Sequence, residues 1–208
     1  EDTADMMSSL KDIINNCMEE DIKVNDIAMF DFEYIFLQLR SKSVGENINI
    51  QYSDPDIICS KDNYECIFKS QLNIDSIKPP AIIEDSLVEL TETIKVKLRW
   101  PKVADAEKMG AVSGDGVAAE SMVETTFSLI GNCIEYIMEG EDMHKPMDYT
   151  EAELDDFLNS LSSGQFKKIQ AYFEGLPKLK HDLVSTCSKC GTTNEKHLEG
   201  MGDFFELG

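Results

Sequence analysis

The feature that most constrains this chain is a change of hydrophobic period along its length. Residues 5–20 place Met6, Leu10, Ile13, Ile14 and Cys17 at helical spacing. A second helical pattern over 26–43 carries Ile27, Phe30, Tyr34, Ile35, Phe36 and Leu37, with Asn25-Asp26 as its cap and Gly45 as its stop. The period then drops to two. Ile48, Ile50 and Tyr52 alternate with polar residues, as do Tyr64, Cys66, Phe68, Leu72 and Ile74. A third run sets Ile94, Val96, Leu98 and Trp100 against Lys95, Lys97 and Arg99. Asp54-Pro55-Asp56 and Lys78-Pro79-Pro80 read as breaks between these runs. Such a switch predicts an α+β fold: an antiparallel sheet or hairpins with amphipathic helices around them.

Beyond Pro101 the residues are small and include Gly110, Gly114 and Gly116, which predicts a loop or linker over 101–119. Helical spacing returns from Met122 through Phe127, Ile130 and Ile134 to Ile137, with Gly140 as its end. Two capping boxes follow. Thr150 with Glu153 opens a helix carrying Leu154, Phe157, Leu158 and Leu161, and Ser162 with Gln165 opens one carrying Phe166, Ile169 and Phe173. Together they predict a helical hairpin whose core is the Phe157, Phe166 and Phe173 stripe. The resulting division is residues 1–100, a linker over 101–119, and residues 120–208, packed as one domain.

The chemistry-bearing motif is Cys187-Ser188-Lys189-Cys190-Gly191. Two thiolates two residues apart, followed by glycine, form a zinc-knuckle-like hairpin at the C-terminal end of the chain. Tetrahedral zinc needs four ligands, and Cys59 and Cys66 are the obvious donors of the other two, with His181 and His197 as fallbacks. The cofactor so implied is a structural zinc ion. A turn that folds without metal and a redox Cys-x-x-Cys stay open as alternatives. Cys17 and Cys133 lie within apolar patterns and are expected to be buried as small hydrophobes.

Formal net charge is −21 over 208 residues. Nucleic-acid and anionic-membrane binding rest on Lys and Arg, so this balance argues against nucleic acid and membrane as partners and for neutral or basic protein surfaces. No run approaches the length that spans a bilayer. His144, His181 and His197 sit in polar surroundings, and no nucleophile elbow, zincin motif or dinucleotide fingerprint is present. An enzyme is therefore not expected. Phe204 and Phe205 are expected to fold back over the hairpin, an anchor in a partner's pocket being the other option.

Three stretches carry a resemblance. The run DFEYIFLQLRSKSVGE from Asp31 to Glu46, the run YFEGLPKL from Tyr172 to Leu179, and the tail from Cys187 through Leu198-Glu199-Gly200 to Phe204-Phe205 resemble baseplate hub and hub-assembly proteins of T4-like contractile-tailed phages. The likeness spans about residues 5–206. It implies a non-enzymatic late protein that helps assemble the central baseplate hub. The partners it implies are other baseplate hub proteins, with self-association a second option. It implies the host cell cytoplasm during assembly, and the tail baseplate of the virion as a further location. One departure stands out: Cys59 and Cys66 are separated by six residues, wider than a knuckle, so a shared ion would need a longer loop between them. Two other readings are a small zinc-dependent enzyme and an adaptor that binds a host protein through its acidic surface.

Overall fold

The computed structural model describes residues 3–19, 22–82, 86–110 and 119–206. The chain divides into two compact units that interleave in sequence. One comprises Glu1–Met29 with Ile82–Pro177, the other Phe30–Ala81 with Lys178–Gly208. Helices and antiparallel strands make up both, so the fold is α+β.

In the first unit α1 (Thr3–Cys17) buries Leu10 and Ile14, while Ile13 and Cys17 face solvent. Cys17 is thus not the buried thiol that its place in the apolar pattern predicts. The sequence places a helix cap at Asn25-Asp26, but Val24–Asp26 forms a 3₁₀ turn and the next helix, α2 (Met29–Val44), begins later. The reason is a backbone bridge: Met29 N donates to the Pro101 carbonyl and Val103 N donates to that of Ile27. These bonds hold Ile27 and Ala28 extended ahead of the helix.

The linker predicted over 101–119 is helical in its first part, α3 (Val103–Gly110), and residues 111–118 lie outside the described ones. Asp105 explains that helix. Its carboxylate accepts from Lys102 N at 2.8 Å and takes both guanidinium arms of Arg99, at 2.7 and 3.0 Å. Arg99 also donates to the Asn132 carbonyl at 2.6 Å. Asp105 is buried, so the pairing is what makes an aspartate tolerable there.

The sheet of this unit is β3 (Leu87–Glu89), β4 (Ile94–Leu98), β5 (Ile134–Glu139) and β6 (Asp142–His144), each antiparallel to the next. Helix α4 (Ala119–Cys133) stops before Ile134, so the helix predicted through Ile137 ends early. Ile134 and Ile137 fit a three-residue spacing, but the β-branched and aromatic run Ile134–Ile137 pairs with β4 instead, Val96 opposite Ile137 and Lys97 opposite Tyr136. Gly140, at φ +63, turns the β5–β6 hairpin rather than capping a helix. Trp100 is half-buried just beyond β4.

The helical hairpin forms as predicted. Both capping boxes are made at the starts of α5 (Glu151–Ser160) and α6 (Ser163–Glu174). Their Leu158 and Ile169 join Val96, Leu98, Ile130 and Ile134 in this unit's core.

In the second unit α2 buries Phe30, Phe32 and Leu37. Gly45 follows at φ +124, and Arg40 Nη1 donates to its carbonyl at 3.3 Å. The strands are β1 (Asn47–Ile58), β2 (Glu65–Asn73), β7 (Lys180–Cys187) and β8 (Thr193–Glu199), in that order across an antiparallel sheet. Alternation is clean where expected: Ile48, Ile50 and Tyr52 point inward from β1, and Cys66, Phe68 and Leu72 from β2. Tyr52 and Phe68 stack at 5.3 Å between ring centroids. Asp54-Pro55-Asp56 is no turn but the irregular part of β1, where pairing with β2 shifts between Asp54 and Ile58. Proline has no N–H for a ladder, so the strand bulges there.

The strands expected together over 47–100 therefore belong to two sheets. β1 and β2 join the C-terminal hairpin, while β3 and β4 join β5 and β6. Helix α7 (Gly200–Glu206) closes the second unit by burying Phe204 beside Leu37, Leu183 and Leu198. Phe204 folds back as expected; the side chain of Phe205 lies outside the described ones.

Candidate metal centre

Cys59 and Cys66 lie at one end of the β1–β2 hairpin. The chain between them closes on itself: Cys59 N donates to the Tyr64 carbonyl at 2.7 Å, and Asn63 N donates back to that of Cys59 at 3.0 Å. Asn63 takes a left-handed φ of 59, which lets the turn close. The six intervening residues are thus a hairpin turn, and a spacing too wide for a knuckle in sequence becomes short in space.

Cys187 and Cys190 come from the opposite hairpin. Cys187 ends β7, and the chain reverses through Ser188–Gly191 into β8. Gly191 N donates to the Cys187 carbonyl at 2.9 Å, and Cys187 N donates to that of Thr192 at 2.8 Å. Gly191 has φ +79, where a side chain would be strained. The two hairpins are paired at Phe68–Cys187 and Lys69–Thr186, so the four cysteines share one corner of the sheet.

The sulfurs of Cys59, Cys66, Cys187 and Cys190 all lie within 4.8 Å of one another. Those of Cys66 and Cys190 are 3.5 Å apart. Cys59, Cys66 and Cys187 are buried, and Cys190 is half-buried. All are free thiols. Burial and hydrogen bonds to the Cys190 and Cys187 sulfurs push the Cys66 thiol up. Hydrogen bonding with the side chain and backbone of Thr192 pushes the Cys190 thiol down. The Thr192 hydroxyl is 3.2 Å from Cys190 Sγ. Outside the sulfurs, Lys189 Nζ reaches Asp62 Oδ2 at 2.5 Å and ties the two turns together.

The structure thus brings together the four residues singled out from the sequence. The fallback ligands do not join them. His197 belongs to a separate exposed group with Asp182 and Glu195, its Nδ1 2.6 Å from Asp182 Oδ1. That aspartate raises the imidazole's affinity for a proton. Thr192 and the Lys189–Asp62 pair were missed in the sequence. The position just after Cys190-Gly191 was a signal for the first, since a hydroxyl there can face the knuckle sulfur. Nothing local foretells the second.

The corner sits in a chain whose sequence, across residues 1–206, matches the family described as T4 bacteriophage base plate protein. The chain belongs to that family. No curated protein and no solved structure matches it significantly. Membership makes it a structural protein of the phage tail baseplate, and a non-enzymatic role goes with that family. No helix among the described residues of this baseplate protein is long and apolar enough to cross a membrane.

Proposed function

We propose that this baseplate protein takes part in assembling the central hub of the baseplate, working through contacts with other hub proteins in the host cytoplasm. The observation that carries the reading is the extent of the family match, which runs through both units. The net charge of −21 supports protein partners with neutral or basic surfaces over nucleic acid. A tagged chain recovered from infected cells is expected to bring other hub proteins with it. Recovery of a host protein, with tail proteins missing, would overturn the reading in favour of a host adaptor.

Within the same reading, Cys59, Cys66, Cys187 and Cys190 hold a structural zinc ion. Tetrahedral zinc with Zn–S bonds of about 2.3 Å sets its sulfurs about 3.8 Å apart. Four sulfurs within 4.8 Å of one another fit that set with small side-chain adjustments. Such an ion supplies cross-linking, not catalysis, because four thiolates leave no vertex for water or substrate. These cysteines would bind it, and Thr192 would orient Cys190 by its hydrogen bonds.

A further inference from the structure

Among the described residues, the core of the first unit leaves an apolar cleft open. Phe127 and Leu129 of α4 form one wall, and Phe166 and Phe173 of α6 form the other. The cleft has a volume of about 450 Å³. A second hollow of about 300 Å³ adjoins it, sharing Phe127, Phe166 and Gln170 and continuing to Leu158 and Leu161. Phe127, Phe166 and Phe173 are only half-buried, although the sequence assigns Phe166 and Phe173 to hairpin core. Phe127 and Phe166 lie 5.4 Å apart between ring centroids. Half-buried aromatic rings around a concave apolar surface of this size are the kind of lining a binding site has.

We propose that this cleft receives the apolar face of an amphipathic helix bearing basic residues, supplied by another baseplate protein. The inference rests on the reading of the chain as an assembly protein that works by protein contacts. The walls of the cleft are helices, whose backbone groups already bond within the helix. An incoming extended strand would find nothing there for its own N–H and C=O groups. A helix brings its backbone already satisfied and needs only apolar contact.

Charge selects the partner further. From Ala119 to Ser160 the chain carries eleven carboxylates and one lysine, Lys145. On α6, Lys168 donates to the carbonyls of Glu89 and Leu90, and Lys167 is the charged side chain lining the hollow. A basic flank is attracted by the chain's net charge of −21. A second copy of the chain, itself at −21, is repelled.

The test uses the full-length chain and a fluorescent synthetic peptide of about 18 residues, long enough to form a helix, with Leu at i, i+3, i+4 and i+7 and Lys elsewhere. Controls are the same composition in scrambled order and a version with Glu for Lys. The Leu/Lys helix is expected to bind, and both controls to bind at least tenfold more weakly. Gln170→Trp, which places an indole in the cleft from an exposed position, is expected to weaken binding at least tenfold with an unchanged circular dichroism spectrum. Phe173→Lys is the second variant, with the same expectation. Equal binding of the scrambled or Glu peptide would overturn the proposal, as would unchanged affinity in both variants. A wild-type dimer abolished by Gln170→Trp would also overturn it, since the occupant would be a second copy. In recovery from infected cells, loss of one hub protein in Gln170→Trp supports the cleft. Recovery of the same hub proteins by wild type and variant overturns the cleft and leaves the hub reading intact. Recovery of none by wild type overturns the hub reading, and with it this partner.

Discussion

The two units solve the same problem, covering an antiparallel sheet, with different means. In the first unit β3, β4, β5 and β6 pair with sequence neighbours in the sheet order, and Leu158 and Ile169 of the helical hairpin join the strands' core. An ion pair, Arg99 with Asp105, anchors the short helix α3 to the end of β4. In the second unit two long hairpins, β1–β2 and β7–β8, share a strand ladder at just Phe68–Cys187 and Lys69–Thr186 among the described residues. That ladder is two residue pairs long, and a ladder hydrogen bond is worth about 1 kcal/mol net. The four cysteines stand at this seam. With the proposed zinc, a sheet built from distant segments gains a fastener where its ladder is short, while the sheet of the first unit is paired strand to strand in chain order.

The largest effect expected is on the seam itself. Chelation, or Cys66→Ser with Cys190→Ser, is expected to cost the second unit several kcal/mol. Hydrogen exchange should then accelerate in β1, β2, β7 and β8 while β4 and β5 keep their protection. Equal acceleration in both sheets would break the comparison. Next come the anchors of each unit. Phe204→Ala removes a fully buried ring from the second unit and is expected to cost about 3–5 kcal/mol. Asp105→Ala leaves the Arg99 guanidinium unpaired in the first and is expected to cost about 3 kcal/mol. The chain's one tryptophan, Trp100, lies in the first unit, so its fluorescence in a urea titration should move with Asp105→Ala and not with Phe204→Ala.

Two smaller changes sharpen the picture. Thr150→Ala removes the α5 cap and is expected to cost the first unit about 1 kcal/mol, read by the same titration. In the second unit the Ser41 hydroxyl and Lys42 hold the Asp75 carboxyl below its ordinary range. A carboxylate depressed by folding contributes stability above its unfolded pKa, and that contribution is lost as pH falls through the folded value. Asp75→Asn is therefore expected to lower stability at neutral pH and to flatten its decline in acid, measured by exchange rates in the second unit across pH.

What could be read from the sequence was local. The capping boxes at Thr150 and Ser162 gave helix starts because their chemistry lies within four residues. Alternation gave the inner faces of β1 and β2 because the pleat repeats every second residue. Gly45 gave the end of α2 through its backbone freedom. Elements misread were those where a partner decides. Ile134 and Ile137 suit a helix by spacing and a strand by shape, and pairing with β4 settles it. The linker reading over 103–110 failed because Asp105 is fixed by Arg99 across the loop. The interleaving of the units depends on strand pairings between distant segments, which no window of sequence contains. The four cysteines were legible as candidate ligands, but the hairpin turn that brings Cys59 to Cys66 was not.

The most direct test of the fastened seam is the metal content of the purified full-length chain, with cobalt substituted for whatever ion it holds. One zinc ion per chain and a cobalt spectrum of four thiolates in a tetrahedral field are expected, both lost when Cys59, Cys66, Cys187 and Cys190 are replaced by serine. A chain that stays metal-free in zinc-supplemented buffer yet protects β2 and β7 fully from exchange would contradict the fastened seam.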